Sequence, residues 1–332
     1  MNPAAGNLQV YRHSGQLGRG AWLLPVGGML VALVLGVIYG LITVYNPLIG
    51  YVSLFVSGGF GWLLGLCVSK LAIWGQCRNT RFVNLMAGLT GLAGLYTAWA
   101  SFVYFIINRN STQPITPPLT YWLFDPAAIF NFMDMLTVNG YFTIKSSTPS
   151  GIMLWIFWVL EAGIILFLVF SVAADKVKET VYCEACQCWA KLNKGFAHLG
   201  DIRSPAWTER VQNGELQAIV EAPPYERSAA VFLRLDNQVC ERCKTTETTS
   251  INRVTLTTDD KGNTTENVAP VTDVLLLDDN AKLTLAQTLA KRQADEEARK
   301  AANIEAAKKK EAERKAAIEA KKAPPPENEP KA

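Results

Sequence analysis

Long apolar runs dominate the first half of the chain. Near residue 175 they give way to short alternating segments, and after residue 290 to a charged, alanine-rich tract. A helix that crosses a bilayer needs about 20 mostly apolar residues, because the hydrocarbon core is about 30 Å thick and each residue rises about 1.5 Å. Four stretches qualify, at 21–45, 48–74, 82–107 and 152–174. The first is too long, and too poor in a small-residue cleavage site, for a removable signal peptide; it reads as a signal anchor. In the second half, residues 229–236 carry a strand signal and 216–220 a shorter one after Asn213-Gly214. Residues 251–258 and 268–277 flank a turn at Lys261-Gly262 and read as a hairpin.

The apolar segments carry small residues at a spacing of four. Gly28, Ala32, Gly36 and Gly40 form one such row, and Ser53, Ser57, Gly61, Gly65 and Ser69 another. A row of this kind lies on one helix face and lets two backbones approach closely in lipid, either within a four-helix bundle or in a homo-oligomer. The 108–151 loop is too long for a simple connection. In it, Asp125-Pro126 predicts an N-cap with proline at the first helical position, and Asn139-Gly140 predicts that helix's end. Ile129, Met133 and Leu136 share its face, as expected of a lid on the bundle or a helix on the outer membrane surface. The loop also holds a glycosylation sequon, Asn110-Ser111-Thr112, which abuts a span and carries little information.

Composition sharpens this division. Of 332 residues 49% are hydrophobic and 18% charged, with a mean hydropathy of +0.12, where soluble domains carry about 25% charge. Residues 21–174 contain only eight charged side chains. These values exclude a single soluble globule, a fibrous protein and a disordered chain, and seven cysteines are too few for a small disulfide scaffold. Arg12, Arg19, Lys70, Arg78, Arg81, Lys176 and Lys178 fall on one side of the spans, against Arg109 and Lys145 on the other. The positive-inside rule then places both termini in the cytoplasm of a multi-pass protein, in a bacterial inner membrane or a cell membrane.

Glu161 is the one acid within a span, in Trp155-Ile-Phe-Trp158-Val-Leu-Glu161. An intramembrane carboxyl is costly and marks a functional or structural polar site. Tyr96 and Thr97 lie at similar depth and are the expected hydrogen-bond donors to it. Structural glue between helices, an ion or proton relay, and a partner contact all fit. The spans show no second acid and no broken helix pair of the transporter kind.

Five cysteines follow the last span. They form Cys183-Glu-Ala-Cys186 and Cys240-Glu-Arg-Cys243, with Cys188 close by. Two residues between cysteines let both thiolates of a turn reach one metal, and two such turns complete a tetrahedral site. In a reducing cytosol the expected ligand is structural zinc, held by Cys183, Cys186, Cys240 and Cys243, with Cys188 as an alternative ligand. The spacing resembles that of zinc ribbons in these two turns alone. It departs from them in the 53 residues between Cys186 and Cys240 and in lacking glycine after each second cysteine. Dithiol redox chemistry and iron ligation are the competing readings. His13 and His198 lie in no ligand pattern, and no phosphate-loop, dinucleotide, nucleophile-elbow or HExxH motif occurs. A catalytic site is therefore not expected.

From Lys291 to Lys322 eleven cations and seven acids alternate with alanines, several acids preceding a cation by four positions. This predicts a solvated helix, too poor in large apolar residues for a coiled coil and free of the aromatics that read bases. A prolyl stretch at 324–326 ends it, and no specific nucleic-acid binding is expected.

The sequence thus predicts an α-helical membrane protein with four segments. They are a cytosolic tail at 1–20, a four-helix transmembrane domain at 21–174, a small β-rich zinc-ribbon-like domain at 175–279, and a charged helical tail at 280–332. The expected function is a membrane scaffold, adaptor or assembly protein with cytosolic protein partners. A channel or transporter component using Glu161 and a metal or redox sensor are the alternatives.

Overall fold

The computed structural model describes residues 8–45, 51–110, 117–140, 148–226 and 229–322. The chain is about 60% helical and divides into two compact units. One comprises Arg12–Leu192 with Gln238–Thr245; the other comprises Met1–Tyr11, Asn193–Asn237 and Thr246–Ala332. This division cuts across the 175–279 segment that the sequence suggests as one domain, because the cysteine turns fall in the same unit as the apolar helices.

Strand β1 (Gln9–Val10) belongs to the second unit. The first unit contains α1 (Leu23–Tyr45), α2 (Tyr51–Trp74), α3 (Thr80–Asn110), α4 (Leu119–Phe124), α5 (Pro126–Asn139) and α6 (Ile152–Glu179). Among the described residues four helices, those in α1, α2, α3 and α6, are long and apolar enough to cross a membrane. Helix α1 packs on α3, and α2 on α6. The small-residue rows lie in these contacts. A Cβ on Gly36 would come within 2.9 Å of the Gly94 carbonyl, and one on Gly61 within 2.6 Å of the Ile165 carbonyl. Backbones meet closely there, so both rows are used within the chain. Leu64, Val83, Ala87, Ile165 and Val169 fill the interior, while Phe55, Val34, Leu92, Val159 and Phe167 face outward, as expected of lipid-facing positions.

Helix α5 begins as its sequence indicates: the Asp125 carboxylate accepts from the Ala128 N–H at 3.0 Å, Pro126 follows, and Gly140 ends the helix at φ 67°. Ile129 and Met133 are buried against Trp122, Leu154 and Trp158, so the helix is a lid on the bundle. Ser111 and Thr112 of the sequon lie outside the described residues.

Two short strands, β2 (Tyr182–Cys183) and β3 (Cys188–Trp189), pair after α6. The second unit is then built from most of β4 (Lys191–Gly200), α7 (Pro205–Gln212), α8 (Leu216–Glu221), most of β5 (Val231–Val239), β6 (Glu247–Thr258), β7 (Thr264–Pro270), β8 (Leu275–Leu276) and α9 (Asp279–Lys322). Its sheet has the order β1-β8-β6-β5-β4, with β7 also paired to β6. Leu233, Leu235, Ile251 and Leu275 form the core with Trp207, Val211 and Ile219.

Three local expectations change. Residues 216–220 form helix α8, not a strand. Leu216 and Ile219, three apart, are both buried, and Trp207 Nε1 donates to the Ala218 carbonyl at 2.9 Å; a five-residue apolar run has no period of its own to decide the matter. The hairpin turn stands, with Gly262 at φ 81° and the Asp259 carboxylate accepting from the Lys261 and Asn263 amides. Its second arm, however, divides at Val271, where the Val271 amide donates to the Ile251 carbonyl at 2.8 Å and the segment turns away before β8. The N-terminal residues also do more than precede a span, since β1 pairs with β8. Helix α9 starts on the Asp278 carboxylate, which accepts from the Ala281 N–H, and buries Ala281 and Leu285 before emerging into solvent. The proline-rich end, 323–332, lies outside the described residues.

Candidate metal centre

The four predicted ligands come together. One thiol from each of Cys183, Cys186, Cys240 and Cys243 lies within 4.8 Å of all the others. Cys183 and Cys240 are buried, whereas Cys186 and Cys243 are half-buried. Each pair is carried by a tight turn. In the first, Cys183 ends β2 and sits opposite Cys188 of β3. In the second, the Lys244 amide donates to the Cys240 carbonyl at 2.9 Å.

The glycines that the sequence lacks are replaced by backbone geometry. Gln187 follows Cys186 at φ 52°, and Lys244 follows Cys243 at φ 57°. The chain therefore adopts the left-handed turn after each second cysteine with side chains that disfavour it, a strain of about 1–2 kcal/mol per residue. Two turns sharing this geometry around four sulfurs make a symmetric pair of knuckles that could hold a metal ion.

Their electrostatics suit a cation. Backbone N–H groups of Cys243 and Arg242 point at the Cys240 sulfur and pull its thiol below the ordinary range. The neighbouring Cys243 sulfur instead holds the Cys186 thiol up at about 12. Four sulfurs this close repel one another when ionised, and a divalent cation among them reverses that balance. Four cysteines close together can thus bind a metal ion. The chain matches no protein-family profile, no curated relative and no solved structure. What the site does follows from its own chemistry.

That chemistry is tied to the helix bundle of the same unit by residues that spacing arguments do not find. Trp189, next to Cys188, donates through Nε1 to the Ile73 carbonyl in the last turn of α2 at 2.7 Å. Tyr182, next to Cys183, donates to Gln76 Oε1 at 3.3 Å, and Gln76 Nε2 donates to the Gln187 carbonyl at 3.2 Å. Glu184, inside the first turn, pairs with Arg78 at 3.2 Å and accepts from Ser14 Oγ at 2.6 Å. Arg78 is only 3% exposed and lies 4.3 Å over the Tyr182 ring. The Gln238 side chain closes the end of α6: its Nε2 donates to the Glu179 carbonyl, and its Oε1 accepts from the Val181 amide. His13 rests against the Val177 and Lys178 carbonyls and edge-on to Trp189, where burial lowers its pKa. Arg78, one of the seven cations on which the orientation rule rests, is thus also a structural partner of the cysteine turn.

Cys188 is not one of the four clustered thiols, but its sulfur lies 3.7 Å from that of Cys240. The corresponding position in the second turn is Thr245, whose hydroxyl donates to the Cys243 sulfur at 2.9 Å.

The second candidate site changes its partners. Tyr96 and Thr97 do not reach Glu161: Tyr96 donates to the Leu123 carbonyl at 2.9 Å, and Thr97 to the Ala93 carbonyl at 2.8 Å. Similar depth does not fix helical phase, and α3 turns these groups toward α4 and its own backbone. The Glu161 carboxyl is instead reached by the Tyr39 hydroxyl and by Ser57 Oγ at 3.2 Å, with Tyr39 and Ser57 2.9 Å apart. The cluster joins α1, α2 and α6. Beside it is a cavity of about 20 Å³, lined by Thr43, Trp99, Phe102 and Trp158, room for about one water molecule. Ser57 stands in the small-residue row of α2 with Ser53 and Ser69, and it is the serine of the three that reaches Glu161.

Proposed function

We propose that the chain is an integral, multi-pass membrane protein with both termini in the cytosol, in which Cys183, Cys186, Cys240 and Cys243 hold a structural zinc ion. On this reading it serves as a membrane scaffold, adaptor or assembly protein with cytosolic protein partners. The observation that carries the reading is the attachment of the cysteine turns to one end of the apolar bundle. Trp189, Tyr182 and Glu184 flank the metal ligands and bind Ile73, Gln76 and Arg78 at the end of α2. A metal there locks two distant chain segments, 183–188 and 240–243, onto the end of the bundle.

A four-thiolate site suits zinc or iron, and with all positions taken by protein it leaves none open for substrate. Its contribution is then folding energy. In the other unit, β4 ends the sheet with Phe196 exposed, and α9 extends from the sheet core into solvent. An edge strand and a free helix are the elements that recruit partners by strand addition or helix docking. Three-helix bonding of Glu161 supports structural glue within the spans.

The test is covalent capture of partners by the full-length protein in its native membrane, compared with Cys240→Ser and Cys243→Ser. A stoichiometric partner present with the parent and lost with both variants, while all remain inserted, supports the proposal. Capture of the same proteins by all three, or of none by the parent, contradicts it.

A further inference from the structure

The fifth thiol of the cluster has no place in a four-ligand site. Cys188 sits on β3 directly across from Cys183, half-buried, with its sulfur 3.7 Å from Cys240. The equivalent position of the second turn is Thr245, a hydroxyl that donates to Cys243 and is inert to oxidants. The two knuckles otherwise match, down to the left-handed residue after each second cysteine. The chain has therefore placed an oxidisable group, in one turn only, beside a buried ligand of the other turn. A disulfide sulfur–sulfur bond is about 2.05 Å long, so the Cys188 and Cys240 sulfurs, 3.7 Å apart, have about 1.7 Å to close to bond.

We infer that Cys188 is a peroxide-sensitive trigger that withdraws Cys240 from the metal by forming a Cys188–Cys240 disulfide. The inference rests on the zinc reading above. The Cys188 thiolate attacks the outer oxygen of a hydroperoxide, the O–O bond breaks, and the alkoxide leaves, two electrons passing from sulfur to the peroxide. The Cys240 thiolate then attacks the Cys188 sulfur; the S–S bond forms, the S–O bond breaks, and hydroxide leaves. The proton lost when Cys188 ionises and one from solvent convert alkoxide and hydroxide to alcohol and water. Three of the four thiolates remain, and the link between the two turns passes from the metal to the new disulfide. Because Glu184 and Trp189 join the first turn to Arg78 and Ile73, that turn stays on the bundle, and the second stays tethered to it by the disulfide while Cys243 loses the metal.

The experiment uses zinc-loaded full-length protein in detergent, treated with hydrogen peroxide in slight excess. Zinc release is read with a chromogenic chelator, and disulfides are mapped after alkylation. The expected results are zinc release together with a Cys188–Cys240 disulfide, reversal by a dithiol, and release slowed by at least about tenfold in Cys188→Ser and Cys188→Thr. Both variants should load one zinc like the parent. The inference is overturned if they release zinc at the parent rate, if they load less zinc (Cys188 would then be a ligand), or if the disulfide forms within either CxxC turn. Zinc content before peroxide separates the two claims: a parent that loads no zinc refutes the zinc reading and the trigger with it.

Discussion

Arg78, on the connection from α2 to α3, pairs with Glu184 inside the first cysteine turn, Nη1 to Oε2 at 3.2 Å. The arginine is almost wholly buried, and its guanidinium also covers the Tyr182 ring and donates to Gln16 Oε1. One side chain thus joins the N-terminal segment, the end of the bundle and the first cysteine turn.

Arg78→Ala removes all of these contacts at once and should destabilise the protein by about 2–3 kcal/mol. Glu184→Gln should cost only about 1 kcal/mol, because the carboxylate side of the pair is 44% exposed. Thermal unfolding in detergent checks both. Equal losses would mean that the ion pair, and not the buried arginine, dominates.

Gly61→Val places branched carbon against the Ile165 backbone, where even a Cβ would sit 2.6 Å from the carbonyl. It should separate α2 from α6, cost about 2–3 kcal/mol, and pull Ser57 away from Glu161. Denaturant unfolding in mixed micelles measures the loss. Gly59→Val, at a position where nothing lies near an added Cβ, is the matched control and should be close to neutral.

Gln187 and Lys244 occupy the left-handed region. Gln187→Gly and Lys244→Gly should each stabilise the metal-loaded protein by about 0.5 kcal/mol, relief of strain exceeding glycine's added chain entropy. Lys244→Val should destabilise it by more than 1 kcal/mol, by about the strain of a β-branched residue there. The midpoint of metal loss against a competing chelator reads these changes.

His13 gives a pH dependence of definite sign. Burial lowers its pKa in the docked segment below the ordinary 6.5, so the released segment binds more protons. Docking of the 12–20 segment is therefore intact above about pH 6.5 and weakens as pH falls below that value toward the depressed pKa. Hydrogen exchange in residues 12–20 should rise between pH 7.5 and 5.5, and His13→Gln should flatten that change.

The parts legible in the sequence are those with a strong period or a strict chemical spacing. The four apolar runs, the Asp125-Pro126 helix start, the Lys261-Gly262 turn and the two CxxC pairs all carry such a signal. What escapes is set by three-dimensional phase. Depth along α3 suggests Tyr96 and Thr97 as partners of Glu161, yet helical rotation gives that role to Tyr39 and Ser57. Residues 216–220 are too few to show whether they repeat every two positions or every 3.6. The missing turn glycines argue against knuckles, but Gln187 and Lys244 accept the left-handed backbone because the surrounding cluster holds it. The links from Trp189 to Ile73 and from Arg78 to Glu184 span more than 100 residues and leave no local trace.

The central claim is that four cysteines clamp two remote turns to the end of the bundle through one zinc ion. It is tested most directly by metal analysis of full-length protein purified in detergent under reducing conditions, combined with X-ray absorption at the metal edge. The account predicts one zinc per chain with four sulfur neighbours at about 2.3 Å, and loss of protection in residues 183–188 and 240–243 when a chelator removes it. A folded, metal-free protein with all four thiols reduced, and with both turns still protected, would contradict it.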